Sequence, residues 1–487
     1  MATPIPVNEV RFSLAEICSI CKGTLLSGNA DDEIVGVSTD TRSVKANNLF
    51  VAIAGERMDG HDYIKTAVKA GAKAVIVSQA EKAPKDIAVI EVPDGIAALG
   101  DLAAAHRRRW GGYVVAVSGS AGKTMTKDFA AAVLKTLYKK VHKTEGNLNN
   151  LIGLPMTLLA LSEKHQLAVV ELGINQPGEM ERLASIAQPD AAVITNVSAV
   201  HTEGLSDEQS IAKEKGALLR ALSPKGLAVV HGDSEYFDTL IEGLATERLV
   251  RFGSQDSGDV QLRAQHINPS LRNECTIALS KINHEIPLQM RQLGEGAAMN
   301  AAAVVALVTE MVTATDPKAV PKAIKIIAKV LNDIPGAPHR FNLRRGPKRS
   351  LLIDDTYNAS PAAMSLALDT ASEIAQTIKG RLFVVLGDMK ELGERSKAEH
   401  RKVGRHVVAV SAMMFVGFGP EMKVAVESSS ETTGLAAPTQ AISINNALDA
   451  VAPVVEKLQE RDVILIKGSR AMQMERIVKA MIEADNA

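Results

Sequence analysis

At 487 residues the chain is too long for one ordinary core, and about 150 residues per domain suggests roughly three. Its composition, 46% apolar and 23% charged, is that of a globular protein. A formal net charge of −1 excludes the global basic field of a nucleic-acid binder, so any anionic ligand has to be met by local, placed charges.

Residues 1–110 read as a mixed α/β unit: short β-rich runs ("EIVGVSTDT", "NLFVAI", "AKAVIVS") alternate with the helical stretch "HDYIKTAVKAG". Cys18 and Cys21 sit on a helix-like apolar pattern. With only Cys275 besides them they complete neither a disulfide framework nor a zinc site, and core packing is the expected role. Trp110-Gly111-Gly112 punctuates the chain, and residues 111–335 then repeat strand and helix. "YVVAVSG" leads into a helix from Thr124, "LAVVELG" into one from Gly178, and "AAVITNV" into "DEQSIAKEKGALLRAL", before "LAVVHGD". Continuous apolar strands separated by helices predict a parallel sheet covered on both faces. Residues 256–293 look like a β-rich insertion, and "AAMNAAAVVALVTEMV" like a buried helix whose apolar run, Ala297–Val308, falls short of a membrane span. "NDIPGAPHRFN" is the next hinge, and residues 336–487 carry four more buried strands, "SLLIDDTY", "RLFVVLGD", "AMMFVGFG" and "VILIKGS", in a Rossmann-like α/β pattern. The N-terminus lacks a charged-then-apolar leader layout, so the expectation is a cytoplasmic protein with no membrane insertion.

Gly119-Ser120-Ala121-Gly122-Lys123-Thr124 follows a buried strand and opens a helix, which is the context of a phosphate loop. Backbone N–H groups and a lysine meet phosphates there, and a hydroxyl meets magnesium. The strict pattern G-x-x-x-x-G-K-[ST] is broken, because Val117 stands where its first glycine belongs; an ordinary Gly-rich βα turn is the bland alternative. Two strand ends favour the nucleotide site. "LAVVELG" delivers Glu171 to the edge where open α/β sheets bind ligands, and "AAVITNVSAVH" delivers His201 just past a neighbouring strand.

Together, "GSAGKT", "TEGNLNNLIGLPMTLL", "VVELGINQPGEM", "ITNVSAVHTEG", "PHRFN", "IDDTYNASPAAM", "VLGDMKELGERS" and "LIKGSRAMQME" make the chain similar to the Mur ligases of peptidoglycan synthesis. In the first unit, "STDTRSVKANNLFVAIAGERMDGHDYI" resembles the family's segment for the UDP end of the substrate. "GNLNN", "DDTYNASP", "GDMKELG" and "KGSR" resemble the dipeptide-adding branch, and the D-Y-A-H-x-P and D-N-P-R stretches of the third-residue-adding branch are absent.

The resemblance implies three units: a UDP-binding N-terminal domain, a central P-loop ATPase domain and a C-terminal domain for the incoming dipeptide. It implies an ATP- and magnesium-dependent ligase, acting on UDP-MurNAc-tripeptide and D-Ala-D-Ala through an acyl phosphate, with a monomer sufficient for the site. On that pattern Lys123 and the 119–124 backbone hold phosphates, while Thr124, Glu171 and His201 hold magnesium. Asn147 lies near the reacting phosphate. Lys215 matches a lysine that the family carries as a carbamate; read by itself it is an exposed helix lysine. Arg340 would reach the γ-phosphate, or be only a hinge arginine. Asp355 and Asn358 would meet the nucleotide, or Asp355 be only a strand-end cap. Ser38, Thr39, Asp40 and Arg42 would bind the UDP-sugar end, or Asp40 and Arg42 pair with each other. Asp388, Lys467 and Arg470 would meet the dipeptide.

The match breaks at the family's G-x-H-N-x-x-N helix start, here Gly294 to Asn300, of which only Asn300 among the side-chain-bearing positions survives; those polar groups normally help hold adenine. Leu151 stands where an acidic residue is common, and Ser360 where asparagine is. Two rivals stay open: a third-residue-adding or folylpolyglutamate ligase of the same superfamily, and a P-loop ATPase without ligation, which would not need the Glu171, His201 and Lys215 set.

Overall fold

The computed structural model describes residues 3–55, 58–84, 86–138, 140–198, 207–254, 258–431 and 440–484. Three sheets dominate, with a two-stranded pairing of Arg11–Ser13 and Glu33–Val35 beside the first. That first sheet has five strands in the order Thr24–Ser27, Ala88–Glu91, Ala74–Val77, Leu49–Val51 and Val37–Ser38. Asp94 starts the next helix, Gly95–Trp110, by accepting from the Ile96 N–H, and left-handed Gly111 ends it. This helix is the wedge between two units. Its Leu99 and Leu102 share one buried cluster with Phe12 and Ile90 on one side and with Val114, Leu158 and Leu183 on the other. The chain turns at Gly111, but the core does not stop there. Buried Arg107 reinforces the junction, its guanidinium donating to Asp190 at 2.9 Å while the same Asp190 oxygen accepts the Val114 N–H at 2.8 Å. Cys21 faces this core, where burial pushes its thiol up to about 12, as a packed side chain's would be.

The central sheet has nine strands, ordered His284–Met290, Asn273–Leu279, Val260–Ile267, Leu249–Gly253, Leu227–His231, Ala191–Ile194, Tyr113–Ser118, Leu167–Glu171 and Val141–Lys143. From Val260–Ile267 to Val141–Lys143 every pairing is parallel. The expected insertion is thus no separate piece: its strands extend this sheet by two antiparallel pairings. Tyr113–Ser118 lies where the strand order reverses, so the loop after it opens at the sheet's topological switch point. The helix Glu295–Thr315 covers one face with Ala301, Val304 and Leu307 at zero exposure. Contrary to the sequence reading, it is long and apolar enough to cross a membrane, yet 72% of its apolar window is buried inside the protein.

The C-terminal sheet has six strands, ordered Asn342–Arg345, Leu351–Asp355, Val463–Lys467, Leu382–Gly387, Met414–Phe418 and Gln440–Ile444. Sequence periodicity found the four in the middle. The edges Asn342–Arg345 and Gln440–Ile444 are half-exposed and mixed in polarity, so no continuous apolar run announces them.

Candidate active site

The missing glycine has a local explanation. Val117 still belongs to the strand, paired with Glu171 on one side and Val193 on the other, and the turn begins only at Gly119. Gly119 (φ 145°) and Gly122 (φ 80°) are the residues that need to lack a side chain: a Cβ would stand 1.9 Å from Thr195 Oγ1 at the first and 2.4 Å from Asn300 Oδ1 at the second. The loop is laced to residues 195–198. Ser120 and Ala121 N–H groups donate to the backbone and side-chain oxygens of Asn196 at 2.9 and 2.8 Å, and Ser120 Oγ donates to the Ser198 carbonyl at 2.9 Å. Lys123 opens the helix Lys123–Tyr138 and folds back over the loop, its ammonium donating to the Gly119 carbonyl at 2.8 Å. Thr124 is the next residue of that helix, and Asn300 reaches the loop from the helix Glu295–Thr315.

Glu171 ends its strand at 3% exposure. Its backbone N–H donates to Thr144 Oγ1 at 2.9 Å, and its Oε1 accepts Asn149 Nδ2 at 2.8 Å, while buried Oε2 has no hydrogen-bond partner. A carboxylate oxygen desolvated without a donor is costly unless a cation completes it. Among the described residues no group of three or more His, Cys, Asp or Glu could hold a metal by itself. Magnesium at a nucleotide asks for less, typically one or two carboxylates plus the phosphates, so the residues present fit that ion.

Lys215 is not the exposed lysine that the bare sequence suggested. It sits at 2% exposure on the helix Glu208–Arg220. Burial above all, and the charge of Lys123 next, push its ammonium well below the ordinary lysine range, with Glu214 opposing. His201 lies outside the described residues. Asn147 is exposed, its side-chain oxygen accepting Thr3 Oγ1 at 2.8 Å; the asparagine that touches Glu171 is Asn149, two residues on. The motif "GNLNN" contained both, and only the fold separates them.

From the C-terminal unit comes Arg340, its guanidinium 3.8 Å over the Tyr357 ring. Its neighbours His339 and Phe341 hold left-handed φ of 60° and 53° and are stitched to the strand end, His339 through its carbonyl to the Tyr357 N–H and Phe341 through its N–H to Asp355 Oδ1. Burial, and after Glu171's opposing pull the charge of Arg340, lower the Lys123 ammonium, so the field of one unit is felt in the loop of the other. Sequence reasoning missed a second link across this joint, the Arg395–Glu208 ion pair at 3.1 Å.

The remaining candidates are spread more widely. Asp355 Oδ2 meets buried Lys467 at 2.6 Å, and that ammonium also donates to the Asn358 carbonyl. Arg470 pairs with Glu475 at 3.2 Å, and its N–H points to Asn358 Oδ1. Asp388 is fully buried and accepts from the Met422 N–H and from Lys390. In the first unit Arg42 pairs with Asp40 at 2.5 Å and holds that carboxyl below its usual range, and Ser38 closes the same turn through the Asp40 carbonyl; Thr39 lies between them. Among the described residues no hydrogen bond or ion pair joins this turn to the phosphate loop.

These features describe an α/β protein whose central unit carries a glycine loop at the sheet's switch point and whose next unit brings an arginine's charge to bear on that loop. Three family descriptions match in order: "Mur ligase family, catalytic domain" over residues 33–107, "Mur ligase middle domain" over 117–308, and "Mur ligase, glutamate ligase domain" over 339–470. The UDP-N-acetylmuramoyl-tripeptide–D-alanyl-D-alanine ligase of Bacillus subtilis is 32% identical over 478 residues, 98% of this chain and 99% of that one. Its Escherichia coli counterpart is 32% identical, over 97% and 99%. A crystal structure of MurF from Acinetobacter baumannii superposes with a TM-score of 0.86 at 28% identity, over 98% and 100% of the two chains. MurF from Thermotoga maritima, in complex with ADP, does so at 0.78 and 26%, over 92% and 97%. The chain belongs to the Mur ligase family, ATP-dependent enzymes that form amide bonds.

Proposed function

We propose that this chain joins D-Ala-D-Ala to UDP-MurNAc-tripeptide, giving UDP-MurNAc-pentapeptide, ADP and phosphate. The observation that carries the reading is that the charges of Glu171 and, from across the joint, Arg340 both act on Lys123, in a chain that matches the dipeptide-adding relatives end to end.

A carboxylate is a poor electrophile, and its mixed anhydride with phosphate has a good leaving group. An oxygen of the tripeptide carboxylate attacks the γ-phosphorus and ADP leaves. The dipeptide amine then attacks the acyl carbon, loses its proton, and phosphate departs as the amide forms. Positioning and charge neutralisation do most of this work. The loop N–H groups and Lys123 orient the β- and γ-phosphates, and Arg340 meets charge that grows on the transferring group. Magnesium, when bound, neutralises phosphate charge, and Thr124, the open Oε2 of Glu171, His201 and a carbamylated Lys215 would hold it. Burial favours the neutral amine of Lys215, the form that adds carbon dioxide. Asn147 would have to turn from Thr3 toward the reacting phosphate, with Asn300 and Asp355 beside the nucleotide and Asn358 close by.

The three units, 1–110, 111–335 and 336–487, then bind the UDP-sugar end through Ser38, Thr39, Asp40 and Arg42, the ATP, and the dipeptide. Both Lys467 and Arg470 would meet the dipeptide carboxylate, Arg470 being the exposed one of the two although each already has a carboxylate partner; Asp388 anchors the loop beside them. The monomer suffices, working in the cytoplasm where ATP is available. The test is phosphate release from ATP and magnesium with UDP-MurNAc-tripeptide, with and without D-Ala-D-Ala. Release requiring both, with pentapeptide formed, is expected. Release only with UDP-MurNAc-dipeptide and a diamino acid would overturn the substrate assignment.

A further inference from the structure

The strands of the C-terminal sheet carry Asp355, Lys467 and Asp388 at their C-terminal ends, and the opposite end opens into a groove of about 900 Å³ that the proposed reaction does not use. Leu343, Leu351 and Ile378 give it an apolar lining, joined by Leu271 on the turn of the central unit's Val260–Leu279 hairpin. Arg344, Arg345, Arg349, Lys379 and Arg461, all exposed, line the rim, and the described lining residues include no carboxylate and no aromatic ring. Arg344 meets Asp354 at 3.2 Å and Arg349 is 4.0 Å from Glu460, whereas Lys379 and Arg461 make no ion pair among the described residues.

Backbone conformation is an independent signal. Leu271, Arg349, Lys379 and Arg461 hold φ of 54°, 61°, 58° and 70°, the left-handed region where a side chain is disfavoured and glycine is not. Lys379 is the C-cap of the helix Pro361–Ile378, a place that glycine usually takes. The chain keeps cationic or apolar side chains where glycine would relieve strain, and such outliers cluster at functional surfaces.

We propose that this groove docks an acidic, leucine-bearing segment of a partner protein. The cations complement carboxylates, and arginine with an apolar lining is the composition of interface centres. The absence of rings among the described lining residues removes the stacking platform that single-stranded nucleic acid uses.

The test uses the full chain and two fluorescein-labelled 12-residue probes, one mixing glutamate and leucine and one of equal charge with serine in place of leucine. Fluorescence anisotropy at moderate salt should show the Glu/Leu probe binding at least about tenfold tighter than the Glu/Ser probe. Lys379→Gly combined with Arg461→Gly removes two cations while relieving strain. It should weaken the Glu/Leu probe at least about tenfold, with Tm unchanged or raised and ligase turnover intact. Arg349→Glu should weaken it independently. Undiminished binding by both variants would overturn the proposal, as would equal binding of the two probes. Phosphatidylglycerol vesicles or a single-stranded oligonucleotide binding where the Glu/Leu probe does not would replace the protein partner with a membrane or nucleic acid. None of these residues lies in the ligase site, so these outcomes are independent of the proposed reaction.

Discussion

Asn149 holds Glu171 with one side-chain hydrogen bond of 2.8 Å, and its backbone carbonyl separately accepts the Gly173 N–H at 2.9 Å. Asn149→Ala removes the first and keeps the second, so the local turn should survive. The carboxylate then loses the donor that fixes its plane, leaving both oxygens without a partner in a site at 3% exposure. A hydrogen bond to a charged group is worth about 1.5–3 kcal/mol, which is about 10- to 150-fold in an equilibrium constant. If Glu171 presents Oε2 to magnesium, that loss should appear in the metal dependence. The assays are ADP binding by calorimetry with and without magnesium, and the magnesium concentration for half-maximal turnover. The variant should need at least about tenfold more magnesium, while metal-free ADP binding changes less than about twofold. Should metal-free binding fall as much as metal-dependent binding, Asn149 shapes the loop and does not position Glu171, and the reasoning fails.

Lys123→Ala should lower turnover by about 10²–10³, the effect of losing a charge-stabilising donor, and near-native turnover would remove the nucleotide-site assignment. Lys215→Ala should regain part of its activity with small carboxylic acids, and absence of rescue at any concentration would count against a carbamate. The same lysine makes a stability prediction. Its folded-state pKa is depressed, so between that value and its ordinary 10.5 the unfolded chain holds more protons, and stability rises with pH through that window. Lys215→Met, in carbon-dioxide-free buffer, should therefore stabilise against urea more at pH 7 than at pH 10, and an equal gain at both would refute a buried, destabilised ammonium. At Gly296, where the family pattern has histidine, a Cβ would stand 2.4 Å from Leu366 Cδ2 of the C-terminal unit. Gly296→His should then raise the KM for ATP unless Leu366→Ala accompanies it. A KM unchanged by the single substitution would show that the leucine does not crowd this helix start.

What the sequence made legible follows a physical boundary. The central strands are buried on both faces, so Val114–Val117, Ala168–Val170 and Phe383–Leu386 read as continuous apolar runs that identify themselves. Asn342–Arg345 is an edge strand whose residues are at most half-buried, and its pattern is indistinguishable from a loop. The three strands of 260–290 were legible as β structure, but their membership in the central sheet was not, because pairing is a long-range fact that local pattern does not encode. At 110 the punctuation and the packing say different things: glycine ends the helix there, while Leu99 and Leu102 share one buried cluster with residues on both sides of it, a long-range fact that local pattern does not encode.

The site shows the same division between local and long-range information. The places of Lys123 and Thr124 at a helix start and of Glu171 at a strand end were legible because strand-end position and loop context are written within a few residues. Asn149, Thr144 and Asn196 were not, since each matters only through a partner brought near by folding. The joint makes the point most sharply. In the sequence Arg340 is a hinge arginine 217 residues from Lys123, the difference of the two positions. In the fold its charge helps depress the lysine of the loop, while the buried carboxylate of Glu171 pulls that lysine the other way. Positive groups that repel each other gain stability from a polyanion placed among them, and the gain is greatest when the two units are together. A triphosphate at the loop would therefore favour holding Arg340 near Lys123, and that proximity would in turn hold the phosphates, which couples binding to the geometry that the proposed transfer step requires.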